Sequence, residues 1–181
     1  MVLDDATFEK VVNAQYEPLY RFAFSLVQRE SEARDLTQDV FTKLASKAHQ
    51  IDDESRLKSW MFTTLYRAFL DSKRRDKRYP HVEMGAADAE LPVSLPDAGA
   101  HLDAAAARQA LMQVDEVYRA PMILFYLEDH SYLEIAEILD IPAGTVMSRI
   151  SRGRASLRRL MEDKPPASVS PEKTKFKARH E

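Results

Sequence analysis

The chain has 181 residues and a net charge of -3, with 45% hydrophobic and 30% charged residues, proportions of a soluble globular protein of one ordinary domain or two small ones. It has no cysteine, which excludes disulfides and thiolate zinc sites, and its five histidines (His49, His81, His101, His130, His180) show no ligand spacing. No Ser, His and Asp constellation or glycine-rich phosphate loop is evident, so no catalytic residue, metal or cofactor is expected. No apolar run approaches membrane-spanning length and the N-terminus lacks a signal-peptide charge pattern, so the expected place is the cytoplasm, without membrane insertion.

Only four glycines occur in the chain, and helices are expected to dominate. The periodicity predicts a first helix from about Thr7 to Gln28, with Phe8, Val12, Tyr16, Leu19, Ala23 and Leu26 on one face and Pro18 bending or splitting it. A second helix, capped by Ser31, points Ala33, Leu36, Val40, Leu44 and Ala48 inward. After a polar loop over 49–55, a third helix runs from Arg56 to about Arg78. Its apolar face is Leu57, Trp60, Met61, Leu65, Ala68 and Phe69, and it ends in K-R-R-D-K-R.

Residues 79–100 carry three prolines, two glycines and four acids without Lys or Arg, the composition of a flexible acidic linker. Helices are then expected over 105–117 and 118–128, with Pro121 in a first turn where its missing amide hydrogen costs little. Ser131 stands three residues before Glu134, a capping-box arrangement heading an apolar run that ends in the turn I-P-A-G at 141–144. In the next helix Val146, Ile150, Gly153, Leu157 and Leu160 face inward. Its other side shows Met147, Ser148, Ser151, Arg152, Arg154, Arg158 and Arg159, and the helix to Met161 holds five arginines and no acid. Residues 79–144 hold twelve acids against two arginines, so this basic helix is a sharp local reversal, as expected of a DNA-reading helix-turn-helix. Residues 162–181, with three prolines and mixed charge, read as a disordered tail.

Helix geometry places Asp35, Gln38, Asp39 and Thr42 on the side opposite Leu36, Val40 and Leu44 as an exposed polar stripe, which is either plain solvated surface or a contact. The third helix sets Trp60, Phe62 and Tyr66 among Lys58, Arg67, Lys73, Arg74 and Arg75: rings that could stack on bases beside cations for phosphates. Core packing is the competing role for Trp60.

The stretch P-A-G-T-V-M-S-R-I-S-R-G-R-A-S-L-R-R, together with D-L-T-Q-D-V-F at 35–41 and K-S-W-M-F-T-T-L-Y-R at 58–67, resembles the extracytoplasmic-function group of the sigma-70 family. The resemblance implies an all-α protein of two small helical domains, region 2 over 7–78 and region 4 with its helix-turn-helix over 101–161, joined by the linker 79–100. It implies an alternative sigma factor that binds core RNA polymerase, recognises promoter DNA at the minus-35 and minus-10 elements, and promotes transcription initiation without being an enzyme. An anti-sigma factor is the further partner it implies. By the same carry-over Asp35, Leu36, Gln38, Asp39 and Phe41 bind the polymerase clamp helices. Lys58, Trp60, Phe62, Tyr66, Arg67 and Arg74 then meet minus-10 DNA, and Met147, Ser148, Arg149, Ser151, Arg152 and Arg154 meet minus-35 DNA. Arg67 stands where many relatives carry asparagine, and it reads a base or holds a phosphate. The alternative is a stand-alone helix-turn-helix regulator, which leaves D-L-T-Q-D-V-F and the aromatic basic helix without a purpose.

Overall fold

The computed structural model describes residues 4–50, 53–78 and 101–162, and every regular element among them is helical. In chain order these are α1 (Asp5–Val27), α2 (Glu30–Lys47), α3 (Leu57–Arg78), α4 (His101–Gln113), α5 (Glu116–Tyr126), α6 (Tyr132–Leu139) and α7 (Ala143–Glu162). Short 3-10 turns at Ala48–Gln50 and Glu54–Arg56 occupy the expected polar loop. The expected linker 79–100, and residues 163–181 of the expected tail, lie outside the described residues.

Helix α1 begins earlier than its apolar pattern predicts, because the Asp4 side chain accepts from the Thr7 amide at 2.7 Å and caps it. Pro18 does not split it. The proline removes one backbone donor, but Leu19, Phe22, Ala23 and Leu26 just beyond are buried against α2 and α3, and each of the larger three side chains contributes on the order of 2 kcal/mol. Ser31 is not the cap of α2. The helix starts at Glu30 after Arg29, which makes no side-chain capping bond, and Glu30 and Glu32 complement the positive end of the helix dipole. The inward set Ala33, Leu36, Val40, Leu44 and Ala48 is buried as expected. Tyr16 is not core: it is exposed, with its ring stacked on Tyr20 and Phe41.

The second half also departs in detail from the pattern. Helix α5 starts two residues before the expected position because the Asp115 carboxylate caps it through the Val117 amide at 2.9 Å. Pro121 therefore lies in the second turn and is buried, where the bond it forgoes is offset by packing. The capping box is present as predicted: Glu134 N–H donates to Ser131 Oγ at 3.3 Å and Ser131 N–H donates to Glu134 Oε2 at 2.8 Å. The turn after α6 is tighter than I-P-A-G. Asp140 closes α6 with φ 52, and α7 already begins at Ala143, so Gly144 is helical. At Gly153 a Cβ would stand 2.3 Å from Met122 Sδ and 3.2 Å from Tyr118 Cβ, so this glycine lets α7 lie close on α5.

Helices α1, α2 and α3 form one module and α4 to α7 the other, and a single hydrophobic core runs through both, from Phe22, Leu44 and Met61 to Ile123, Ile135 and Ile150. The modules meet along α1 against α5 and α3 against α6.

Candidate polymerase and promoter interface

Burial divides α2 into two faces. Asp35, Gln38, Asp39 and Thr42 are exposed, while Leu36 and Phe41 are buried beneath them, Phe41 stacking on Tyr16 with ring centroids 6.2 Å apart. Asp35, Leu36 and Asp39 also line an open cleft of about 640 Å³ between α2 and α3, together with Lys43, Asp71 and Arg75; Gln38 and Phe41 lie outside it.

The candidate minus-10 residues of α3 do not share one exposed surface. Arg67 and Arg74 are exposed, Arg74 pairing with Asp71 at 3.3 Å. Trp60 is half-buried and packs on the core, consistent with the competing core-packing role for this ring. Phe62 is 0% exposed, with its ring T-shaped to His130 at 4.8 Å, so in this conformation it cannot stack on a base. Lys58 donates to the Glu128 carbonyl across the module boundary. Tyr66 is half-buried; burial raises its phenol above the ordinary value, Glu116 adds to the shift, and Arg149 opposes it.

The two-sided pattern of α7 forms as predicted. Val146, Ile150 and Gly153 are buried, while Met147, Ser148, Ser151, Arg152 and Arg154 are exposed along the opposite side. Arg149 is half-buried, an electrostatic neighbour of Tyr66. Leu157 and Leu160 are only partly covered.

Sequence reasoning missed the seam between the modules. Arg21 Nε donates to Glu128 Oε1 at 2.7 Å, with the Glu128 side chain only 2% exposed. Arg119, also buried, donates to the Ser25, Met112 and Val114 carbonyls at 2.6 to 2.7 Å. Gln28 Nε2 donates to the Met112 carbonyl at 2.9 Å, and Lys73 pairs with Glu116. Buried ionisable groups carry no periodic signal; the only cue was E-D-H at 128–130, a charged triplet between two apolar helices.

The comparisons with known proteins agree with this architecture. The family profile described as Sigma-70 region 2 matches residues 11–79, and that described as Sigma-70, region 4 matches residues 104–157. The ECF RNA polymerase sigma factor SigW of Bacillus subtilis is 27% identical over 174 residues, covering 88% of this chain and 91% of its own. The ECF RNA polymerase sigma factor EcfG of Rhodopseudomonas palustris is 29% identical over 164 residues, covering 89% and 88%. Among solved structures, the sigma factor RpoE of Bartonella quintana, in complex with the anti-sigma factor NepR, superposes with a TM-score of 0.69 at 28% identity, over 87% of this chain and 98% of that one. The chain therefore belongs to the extracytoplasmic-function group of the sigma-70 family, the alternative sigma factors of RNA polymerase. No helix among the described residues is long and apolar enough to cross a membrane.

Proposed function

We propose that this sigma factor binds the clamp helices of core polymerase through Asp35, Gln38 and Asp39 on α2, with Leu36 and Phe41 supporting that surface from beneath. Lys58, Trp60, Phe62, Tyr66, Arg67 and Arg74 on α3 serve the melted minus-10 element, and the exposed side of α7 enters the major groove at the minus-35 element. The segment 79–100 links the two readers, so that once polymerase holds one contact the other becomes intramolecular. The factor works in the cytoplasm, has no catalytic chemistry of its own, and is restrained by an anti-sigma protein, a reading supported by the likeness to RpoE bound to NepR.

The observation that carries this reading is the two-faced α7: buried at Val146, Ile150 and Gly153, and exposed where Ser148, Ser151, Arg152 and Arg154 offer base-capable and phosphate-capable groups. Run-off transcription with purified core polymerase over a promoter library tests it. Transcription from a subset sharing minus-35 and minus-10 elements is expected, and no transcription from any member overturns the reading. In the same assay Arg152→Ala is expected to cost about 1 to 3 kcal/mol and to relax one minus-35 position. An unchanged preference with uniformly weaker binding reassigns Arg152 to a phosphate.

A further inference from the structure

The polar seam has a buried histidine at its centre. His130, in the turn between α5 and α6, is 2% exposed, and its Nε2 has no hydrogen-bond partner among the described residues. Its ring lies against Phe62 of α3, while its backbone amide is fixed to the Leu124 carbonyl at 2.9 Å. The imidazole is thus held neutral between the modules, in contact with a residue assigned above to minus-10 DNA.

Charged groups approach it from each side. On α3, Lys58 donates to the carbonyl of neighbouring Glu128, and on α1, Arg21 bonds that residue's carboxylate. Two acids favour an imidazolium: Asp129 in the same turn, and Glu134 on α6, whose Oε1 is 3.9 Å from His130 Nδ1. The Glu134 carboxylate is already engaged by the Ser131 amide at 2.8 Å and by Ser59 Oγ at 3.4 Å, so it is poorly placed to accept a new bond. A proton arriving on His130 would add a cation in a nearly water-free site beside Lys58, with its Nε2–H unpaired.

We propose that the seam is an acid-released latch: protonation of His130 drives α6 off α3 and α5 off α1 and uncovers Lys58 and Phe62 for single-stranded DNA. The DNA consequence rests on the assignments under Proposed function, whereas the opening itself does not. Burial first, and Lys58 second, lower the imidazole from 6.5 to about 4 in the closed form, outweighing Glu134 and Asp129. A group whose value is depressed on closure stabilises the closed form above its open-state value, and that stability is lost as pH falls from there toward the closed-state value. From about pH 7.5 the closed-to-open ratio should fall about fourfold by pH 6 and roughly thirtyfold by pH 5 through His130. Glu128 acts in the opposite sense. Burial raises its carboxyl above the ordinary value despite Arg21 and Lys58, so its proton uptake favours closure in acid.

Replacing His130 by leucine removes the imidazole contribution while leaving Glu128 in place, and it sacrifices no bond at Nε2. The absence of native cysteine allows a dye pair at Glu9→Cys and Arg158→Cys, exposed positions on the two modules. Energy transfer would be followed from pH 7.5 to 5 in the full chain with His130 or with His130→Leu, helical content being monitored by circular dichroism. Loss of transfer with helix retained, at a pH at which the leucine variant stays closed, is the expected result. The proposal is overturned by identical curves, by transfer that does not change with pH, or by acid loss of helix in both proteins alike. Neither DNA nor polymerase enters the measurement, so its failure is distinct from failure of the promoter assignments.

Discussion

Two candidate surfaces of the first module, α2 and α3, differ in what the second module does to them. The α2 stripe of Asp35, Gln38 and Asp39 is open to solvent, while on α3 Phe62 is sealed, Lys58 is tied to Glu128 and Tyr66 is half-covered. The same module therefore presents one contact surface ready and another partly occupied. On the proposed assignments an ordering follows: the α2 stripe and Arg67 and Arg74 of α3 can be engaged in the closed form, whereas Phe62 and Lys58 become available only after the seam parts.

The substitution with the largest expected effect breaks this contrast at its strongest point. Arg119→Met leaves the buried carbonyls of Ser25 and Val114 without their donor, while Met112 keeps the Gln28 amide, so a loss of about 3 kcal/mol is expected in denaturant unfolding, together with loss of the closed form. A stability change under about 1 kcal/mol would show that water replaces the guanidinium easily and that the seam is weak. An intermediate effect is expected for Ser131→Ala, which removes the reciprocal cap that starts α6 and should cost about 1 kcal/mol. Because Glu134 also meets Ser59 of α3, a double-mutant cycle with Ser59→Ala should reveal coupling; strict additivity would separate the cap from the seam. The smallest effect on stability belongs to the open surface. Asp39→Arg should change folding stability by no more than about 0.5 kcal/mol while weakening association with core polymerase, measured by titration. Unchanged polymerase affinity in the folded variant would remove the stripe from the contact.

The same division governs what could be read in the sequence. The inward face of α2, the capping box at Ser131 and Glu134, and the two sides of α7 were legible because each rests on local spacing with a fixed helical geometry. Starts set by a single aspartate, Asp4 before α1 and Asp115 before α5, were displaced because the apolar period begins later than the cap. The covering of Phe62 was not legible for a different reason: its ring meets Phe22 of α1 and, across the seam, His130, 68 positions further along the chain, and helical period cannot report on a partner so distant. Arg21, Glu128 and Arg119 were illegible for the same cause, since a charged residue on a helix is ordinarily solvated and only the tertiary contact reveals otherwise.

Gly153 has a bearing on how far the arginines of α7 can reach. With no side chain between them, α7 rests directly on Met122 and Tyr118, and the height of its outer surface above the module is fixed by that contact. Even one added methyl, 2.3 Å from the Met122 sulfur, would have to displace that side chain or lift the helix by on the order of an ångström, tilting the whole row from Ser148 to Arg154 that is proposed to meet a DNA groove. A bidentate hydrogen bond tolerates little such tilt. The glycine thus acts as a spacer of zero thickness, which on the proposed minus-35 role would calibrate the depth at which the reading head meets its template.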